Sequence, residues 1–208
     1  MVCGFCTLEM LVMFAFDVQR FQIAGTPNWG HDIPYDVQAK VPDSSPSSNS
    51  TPTSIKSPLN EEQRRMLQAL LRDRFQLGFH RTSSIGPVYV LLKGTGKLNM
   101  QPAKDQRESP WVGSKQGGVI SGDGIEGKNI SIPLLSSRLS RFLKCPVLDE
   151  TGLDGSFDFQ YDYVGDDSSD NYVASILTSV QGIGLKLKAG KGPIDTIIID
   201  HAQKPSEN

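Results

Sequence analysis

Residues 147 to 170, VLDETGLDGSFDFQYDYVGDDSSD, place eight carboxylates in two dozen positions. That density suits a calcium loop, a pair of catalytic acids or a solvated face. A calcium loop wants oxygens at its first, third and fifth positions and glycine at the sixth, and neither DETGLDG nor GDDSSD has that order. A glycosidase-type pair wants two acids facing each other across a cleft, one of them kept protonated by burial. Here Phe157, Phe159, Tyr161 and Tyr163 instead alternate with Asp158, Gln160 and Asp162, the pattern of a half-buried strand whose acids face water. Gly152-Leu153-Asp154-Gly155 reads as a turn with glycines free to take positive φ, joining that strand to Pro146-Val147-Leu148.

The remaining chemistry-bearing residues are sparse. His31 follows Trp29-Gly30 in an expected loop, His80 closes a strand carrying Phe75, Leu77 and Phe79, and His201 follows Ile197-Ile198-Ile199-Asp200 at another strand end. Each position also fits a plain structural or surface role. No G-x-S-x-G elbow is present to strain a serine into reach of a histidine. Gly94-Thr95-Gly96-Lys97 matches a phosphate loop in composition but fails its spacing, and reads as a strand-exit turn. Cys3-Gly-Phe-Cys6 has the C-x-x-C spacing, yet redox motifs of that kind follow a strand, and none can precede residue 3. With Cys145 as the third cysteine, there is neither an even disulfide framework nor a second ligand pair for zinc. No metal, cofactor-binding or assembled catalytic constellation is therefore expected.

Composition narrows the class. A chain of 208 residues with 38% hydrophobic and 21% charged residues is globular in character. A net charge of -2 argues against nucleic acid as partner, since phosphate binding needs a clustered basic face. The apolar start MVCGFCTLEMLVMFAFDV lacks a basic n-region, carries Glu9 and stops at Asp17, short of the about 20 apolar residues a span needs. Neither an export signal nor a membrane span is read in it.

The elements that must position these residues follow from periodicity. Asn60 and Gln63 form a capping box ahead of Met66, Leu67, Leu70 and Leu71, which share a helical face to about Arg74. Phe75, Leu77 and Phe79 then alternate, Gly86-Pro87 is expected to turn the chain, and Val88 to Leu92 form a second strand. The same order recurs at Ile176, Leu177 and Val180, Leu185 and Leu187, and Ile194 to Ile199. Looser copies run from Leu8, Leu11, Val12 and Ala15 to Phe21-Gln22-Ile23 and residues 35–39, and from Leu134, Leu135, Leu139 and Phe142 to residues 145–148 and 157–163. Four helix-strand-strand units predict an α+β fold with mainly antiparallel sheets, packed as two small α/β halves. The expected halves are residues 1–98, with a Ser/Pro insert at 42–58, and residues 130–208, joined by a polar Gly-rich connection at 99–129.

The runs FAFDVQRFQIAGTPNW, YDVQAKVP, MLQALLRDRFQLGFHR, PVYVLL, PVLDETGLDGSFDFQYDY and GLKLKAGKGPIDTIIIDHAQKPSEN resemble the soil-associated family of uncharacterised proteins expanded in acidobacteria. The resemblance covers almost the whole chain and is most specific at D-x-T-G-L-x-G-x-F-D-F and IDHAQKPSEN. The repeated units are also similar in topology to the short N-terminal domain of secretins and TonB-dependent receptors. The family resemblance implies export, with a signal and a further strand ahead of this start, which the chain departs from. The Ser/Pro insert is longer than the family pattern, and the Cys3/Cys6 pair is outside it. Related domains joined to membrane-bound peptidases of the antibiotic-sensor type imply a sensing or docking role.

Together these readings predict a non-enzymatic extracytoplasmic binding or sensor module for a protein, peptide or envelope ligand. Its candidate binding residues are Trp29, His31, Trp111 and His201, polar or aromatic groups at loops and strand ends. The alternatives are a hydrolase or transferase with a site between the halves, using His80 or His201 with Asp73 or Asp200, and a structural envelope protein.

Overall fold

The computed structural model describes residues 2–38, 59–105, 107–113, 124–162 and 172–205. The Ser/Pro stretch at 42–58, Ala39, Val119, Ile120, Tyr163 and the side chain of Cys3 lie outside the described residues. In chain order the elements are β1 (Val2–Cys6), α1 (Leu8–Phe16), a 3-10 turn (Arg20–Gln22), β2 (Ile23–Ala24), α2 (Trp29–Asp32), β3 (Tyr35–Gln38), α3 (Glu61–Phe75) and β4 (Gly78–Lys93). There follow β5 (Met100–Pro102), β6 (Trp111–Gly113), β7 (Ile125–Ser131), α4 (Ile132–Leu143), β8 (Val147–Asp149), β9 (Ser156–Tyr161), α5 (Tyr172–Gly182) and β10 (Leu185–His201). The fold is α+β, and its sheets are mainly antiparallel.

Two compact units form: residues 1–84 with 195–208, and residues 85–194. The long strands β4 and β10 each contribute to both. Gly86-Pro87, expected as a turn, lies inside β4, and the chain continues through it. Those glycines serve close approach instead of reversal. A Cβ on Gly86 would come 2.6 Å from Ile194 Cδ1, and one on Gly192 in β10 would come 2.9 Å from Leu148 Cδ1.

In the first unit, Leu8, Leu11, Val12 and Ala15 of α1 are buried with Leu67, Leu71 and Phe75 of α3, together with Ile197 and Ile199 of β10. The capping box at the start of α3 is present as read: Gln63 N–H donates to Asn60 Oδ1 at 2.8 Å, and Asn60 N–H donates to Gln63 Oε1 at 3.0 Å. The helices are cross-tied where Gln68 Nε2 donates to the Ala15 carbonyl at 2.7 Å and Arg64 pairs with Asp17 at 3.2 Å. Strand β2 pairs in parallel with β10, Ile23 opposite Ile197. Just beyond it, Gly25 has φ of 77°, and any Cβ there would overlap the Ile199 carbonyl oxygen. The expected partnership of β2 with β3 is not formed, because β3 pairs antiparallel with β1, the strand that contains the C-x-x-C.

The second unit rests on an antiparallel sheet in the order β5-β9-β7-β6. Strands β5 and β6 and most of β7 come from residues 99–129, the stretch expected to be a polar Gly-rich connection. The reason is a partner distant in sequence: a Cβ on Gly127 of β7 would overlap the ring of Phe159 on β9, which occupies that space. Phe157 and Phe159 are buried with Ile125, Ile130, Leu135, Leu139, Ile176 and Val180. Helix α4 is capped by Ser131, whose hydroxyl accepts from Leu134 N–H at 3.4 Å. Its buried Ser140 donates to the Ser136 carbonyl and accepts from Val147 N–H, both at 2.8 Å, tying α4 to β8. Strands β8 and β9, read as neighbours across Gly152 to Gly155, part instead: β8 joins β4 in parallel, Val147 opposite Tyr89. The turn glycines do take positive φ, 65° at Gly152 and 94° at Gly155.

Candidate functional site

Helix α1 begins at Thr7, whose hydroxyl accepts from Met10 N–H at 3.3 Å. That start puts Glu9 in the first turn, where the helix dipole favours a negative charge, yet on the buried face between Leu8 and Val12. A buried carboxylate needs partners, and two are supplied from outside the helix. Arg20, at the start of the 3-10 turn, places Nε 3.0 Å from Glu9 Oε2. His31, on α2, places Nδ1 3.3 Å from Glu9 Oε1. The Glu9 side chain is 10% exposed, against 71% for Arg20 and 36% for His31. One buried acid thus anchors two groups that reach solvent.

A glycine brings His31 there. Gly30 is buried against α1, and a Cβ on it would come 2.9 Å from Thr26 Cγ2 and 3.3 Å from Leu8 Cδ2. The residue before it, Trp29, stacks on Phe75 with ring centroids 6.5 Å apart and planes 9° apart. Tyr35 meets the same Phe75 ring edge-on at 5.0 Å, and burial raises the pKa of its phenol. Trp29, Gly30 and His31 therefore form one helical turn with distinct tasks, where a loop is the sequence expectation.

The other candidates fall elsewhere. His201 ends β10, exposed beside Gly78, and makes no side-chain hydrogen bond or ion pair among the described residues. Trp111 belongs to the second unit, 38% exposed on β6 opposite Lys128 of β7. Of the residues named for catalysis, His80 meets Asp200, with Nδ1 2.9 Å from both carboxylate oxygens, while Asp73 only accepts from Gln76 Nε2 through its backbone carbonyl. That pair stands in water, with side chains 57% and 51% exposed. Neither histidine has a hydroxyl or thiol within hydrogen-bond reach among the described residues.

The acidic stretch is partly recast. Asp158 is not simply the wet face of β9: it accepts from Asn129 N–H at 2.9 Å and Lys104 N–H at 3.1 Å. These bonds hold its carboxyl below the usual range, with Lys128 and Lys104 adding to the effect. Asn129 itself sits at φ of 47°, its Nδ2 donating to the Glu108 carbonyl at 2.7 Å. Among the described residues no group of three or more His, Cys, Asp or Glu is placed to hold a metal. Cys6 is disulfide-bonded, and Cys145 is a free thiol that donates to the Pro87 carbonyl at 3.3 Å. Burial pushes its pKa up, against a smaller opposing pull from the Tyr89 backbone N–H.

No helix among the described residues is long and apolar enough to cross a membrane. No curated protein and no solved structure matches the chain. A family model does match it, over residues 9–202, a span that begins at the buried Glu9 and contains every candidate residue discussed above. The chain belongs to that family, described as protein of unknown function (DUF3738).

Proposed function

We propose that this chain is a non-enzymatic binding or sensor module whose recognition surface is the Trp29/His31 face of the first unit. The observation that carries this reading is Glu9: a buried acid spent on fixing the two solvent-reaching groups Arg20 and His31. Preorganised polar groups beside a stacked aromatic are what a binding surface uses to reduce the ordering cost of association. The disulfide at Cys6 supports an oxidising, extracytoplasmic compartment. Its resemblance to the soil-associated family, and of its units to the secretin short N-terminal domain, fits a protein, peptide or envelope ligand.

The test is an affinity capture with the tagged full chain against detergent-solubilised envelope and soluble fractions of its host. Wild type retains a partner, Trp29→Ala and Arg20→Glu reduce it at least tenfold, and His80→Ala leaves it unchanged. Ile197→Asp, at a buried core position, is the misfolded control. Equal capture by every folded variant overturns the reading.

The His80–Asp200 pair favours a second reading, a hydrolase or transferase in which Asp200 orients the His80 imidazole as a general base. It requires turnover of ester, amide or phosphoester substrates that His80→Gln abolishes; the absence of any such turnover removes it.

A further inference from the structure

We infer that Arg20 and His31, held by Glu9, form a binding site for a carboxylate, the acceptor being a ligand group that bears a single negative charge. This rests on the recognition face proposed above and names what it recognises. Glu9 Oε2 meets Arg20 at Nε, 3.0 Å away, on a guanidinium side chain that is 71% exposed. A guanidinium fixed by its inner nitrogen keeps its outer fork of N–H donors in one plane, which matches the two oxygens of a carboxylate. His31 is fixed in the same way, because Nδ1 meets Oε1 of the same carboxylate and leaves Nε2 as the ring's second polar atom. Both handles are tied to one acid, so they are neighbours.

Charge selects among oxyanions. Arg20 with one histidine against the Glu9 carboxylate leaves a formal charge of at most +1. That balances a carboxylate and falls short of a phosphate dianion, which is usually met by more cations. Trp29, two residues before His31 on the same helical turn, is partly buried and stacked on Phe75, so the segment that carries His31 also carries an apolar ring. A carboxylate carried on an apolar stem, such as a peptide C-terminus, has the matching chemistry.

The experiment is a nuclear magnetic resonance titration of the labelled full chain with sodium acetate, acetamide and inorganic phosphate at constant ionic strength. Acetate shifts the Arg20 Nε–H and His31 ring signals saturably; acetamide, its neutral counterpart, does not, and phosphate binds no tighter. Arg20→Gln abolishes the response, Arg20→Lys weakens it at least tenfold, and Glu9→Gln weakens it at least threefold. The proposal is overturned by a linear acetate response, by an Arg20→Gln variant that responds like wild type, or by phosphate binding more tightly than acetate. If acetate fails while partner capture still depends on Trp29, the carboxylate assignment falls and the recognition face stands. If acetate binds through Arg20 while capture ignores Trp29, the recognition face falls and the anion site stands alone.

Discussion

Two histidine–carboxylate pairs occur in one unit, and they differ in where the acid sits. Glu9 is buried on α1 and meets His31 at 3.3 Å, while Asp200 is half-exposed on β10 and meets His80 at 2.9 Å. The shorter contact is the weaker constraint. In water the attraction of an ion pair is largely screened and the side chains are free to separate, so an exposed pair contributes about 0–1 kcal/mol. A buried carboxylate has nowhere else to find hydrogen bonds, and losing its partners exposes the full desolvation penalty. Distance alone therefore misranks these two pairs, and burial of the acid decides which histidine is positioned.

The comparison breaks most visibly under charge reversal. Glu9→Lys buries a cation against Arg20 and His31 and is expected to cost about 3–5 kcal/mol, whereas Asp200→Lys stays within about 1 kcal/mol; urea unfolding of both variants measures the gap. Next in size is Gly30→Val. Its Cβ meets Thr26 and Leu8, prising α2 from α1 at a cost of about 1–3 kcal/mol and releasing His31 from Glu9, which the His31 ring signals report. Double-mutant cycles sharpen the contrast further. Glu9→Gln with His31→Ala is expected to show a coupling of about 1–2 kcal/mol, and Asp200→Asn with His80→Ala less than about 1 kcal/mol.

The smallest effect comes from a third carboxylate, in the other unit. Asp158 is held by backbone amides, not by a histidine, and its folded pKa lies below the ordinary value. A depressed carboxylate pKa stabilises the fold above its unfolded-state pKa, and that contribution disappears as pH falls through the folded value. Asp158→Asn is expected to flatten the acid limb of the stability profile and to leave the neutral limb parallel to wild type. An unchanged acid limb, followed by thermal unfolding at stepped pH, would remove Asp158 as its source.

Local signals were legible where the physics is local. The Asn60/Gln63 box, the buried Leu67 and Leu71, the positive φ of Gly152 and Gly155, and the inward Phe157 and Phe159 all follow from a few neighbouring residues. What escaped depends on distant partners. Gly86 and Gly127 look like turn residues in a one-dimensional reading, yet each makes room for a side chain far along the sequence, Ile194 and Phe159. Strands β5, β6 and β7 were missed for that reason. Glu9 was legible only as an interruption in an apolar run. Its position among Leu8, Leu11 and Val12 on the helix stripe was the available sign that it is buried and needs cationic partners. Which partners is fixed by two short elements, the 3-10 turn that carries Arg20 and the four-residue helix α2 that carries His31, both too short to announce themselves by periodicity.

The free thiol Cys145, placed where α4 ends and β8 is about to start, gives the second unit a built-in clock. Its hydrogen bond to the Pro87 carbonyl and its burial-raised pKa make this half-buried thiol a slower nucleophile than a free cysteine. Alkylation is therefore slowed in the folded unit and is expected to quicken as that joint loosens. A maleimide time course thereby follows the packing of this joint without an introduced label.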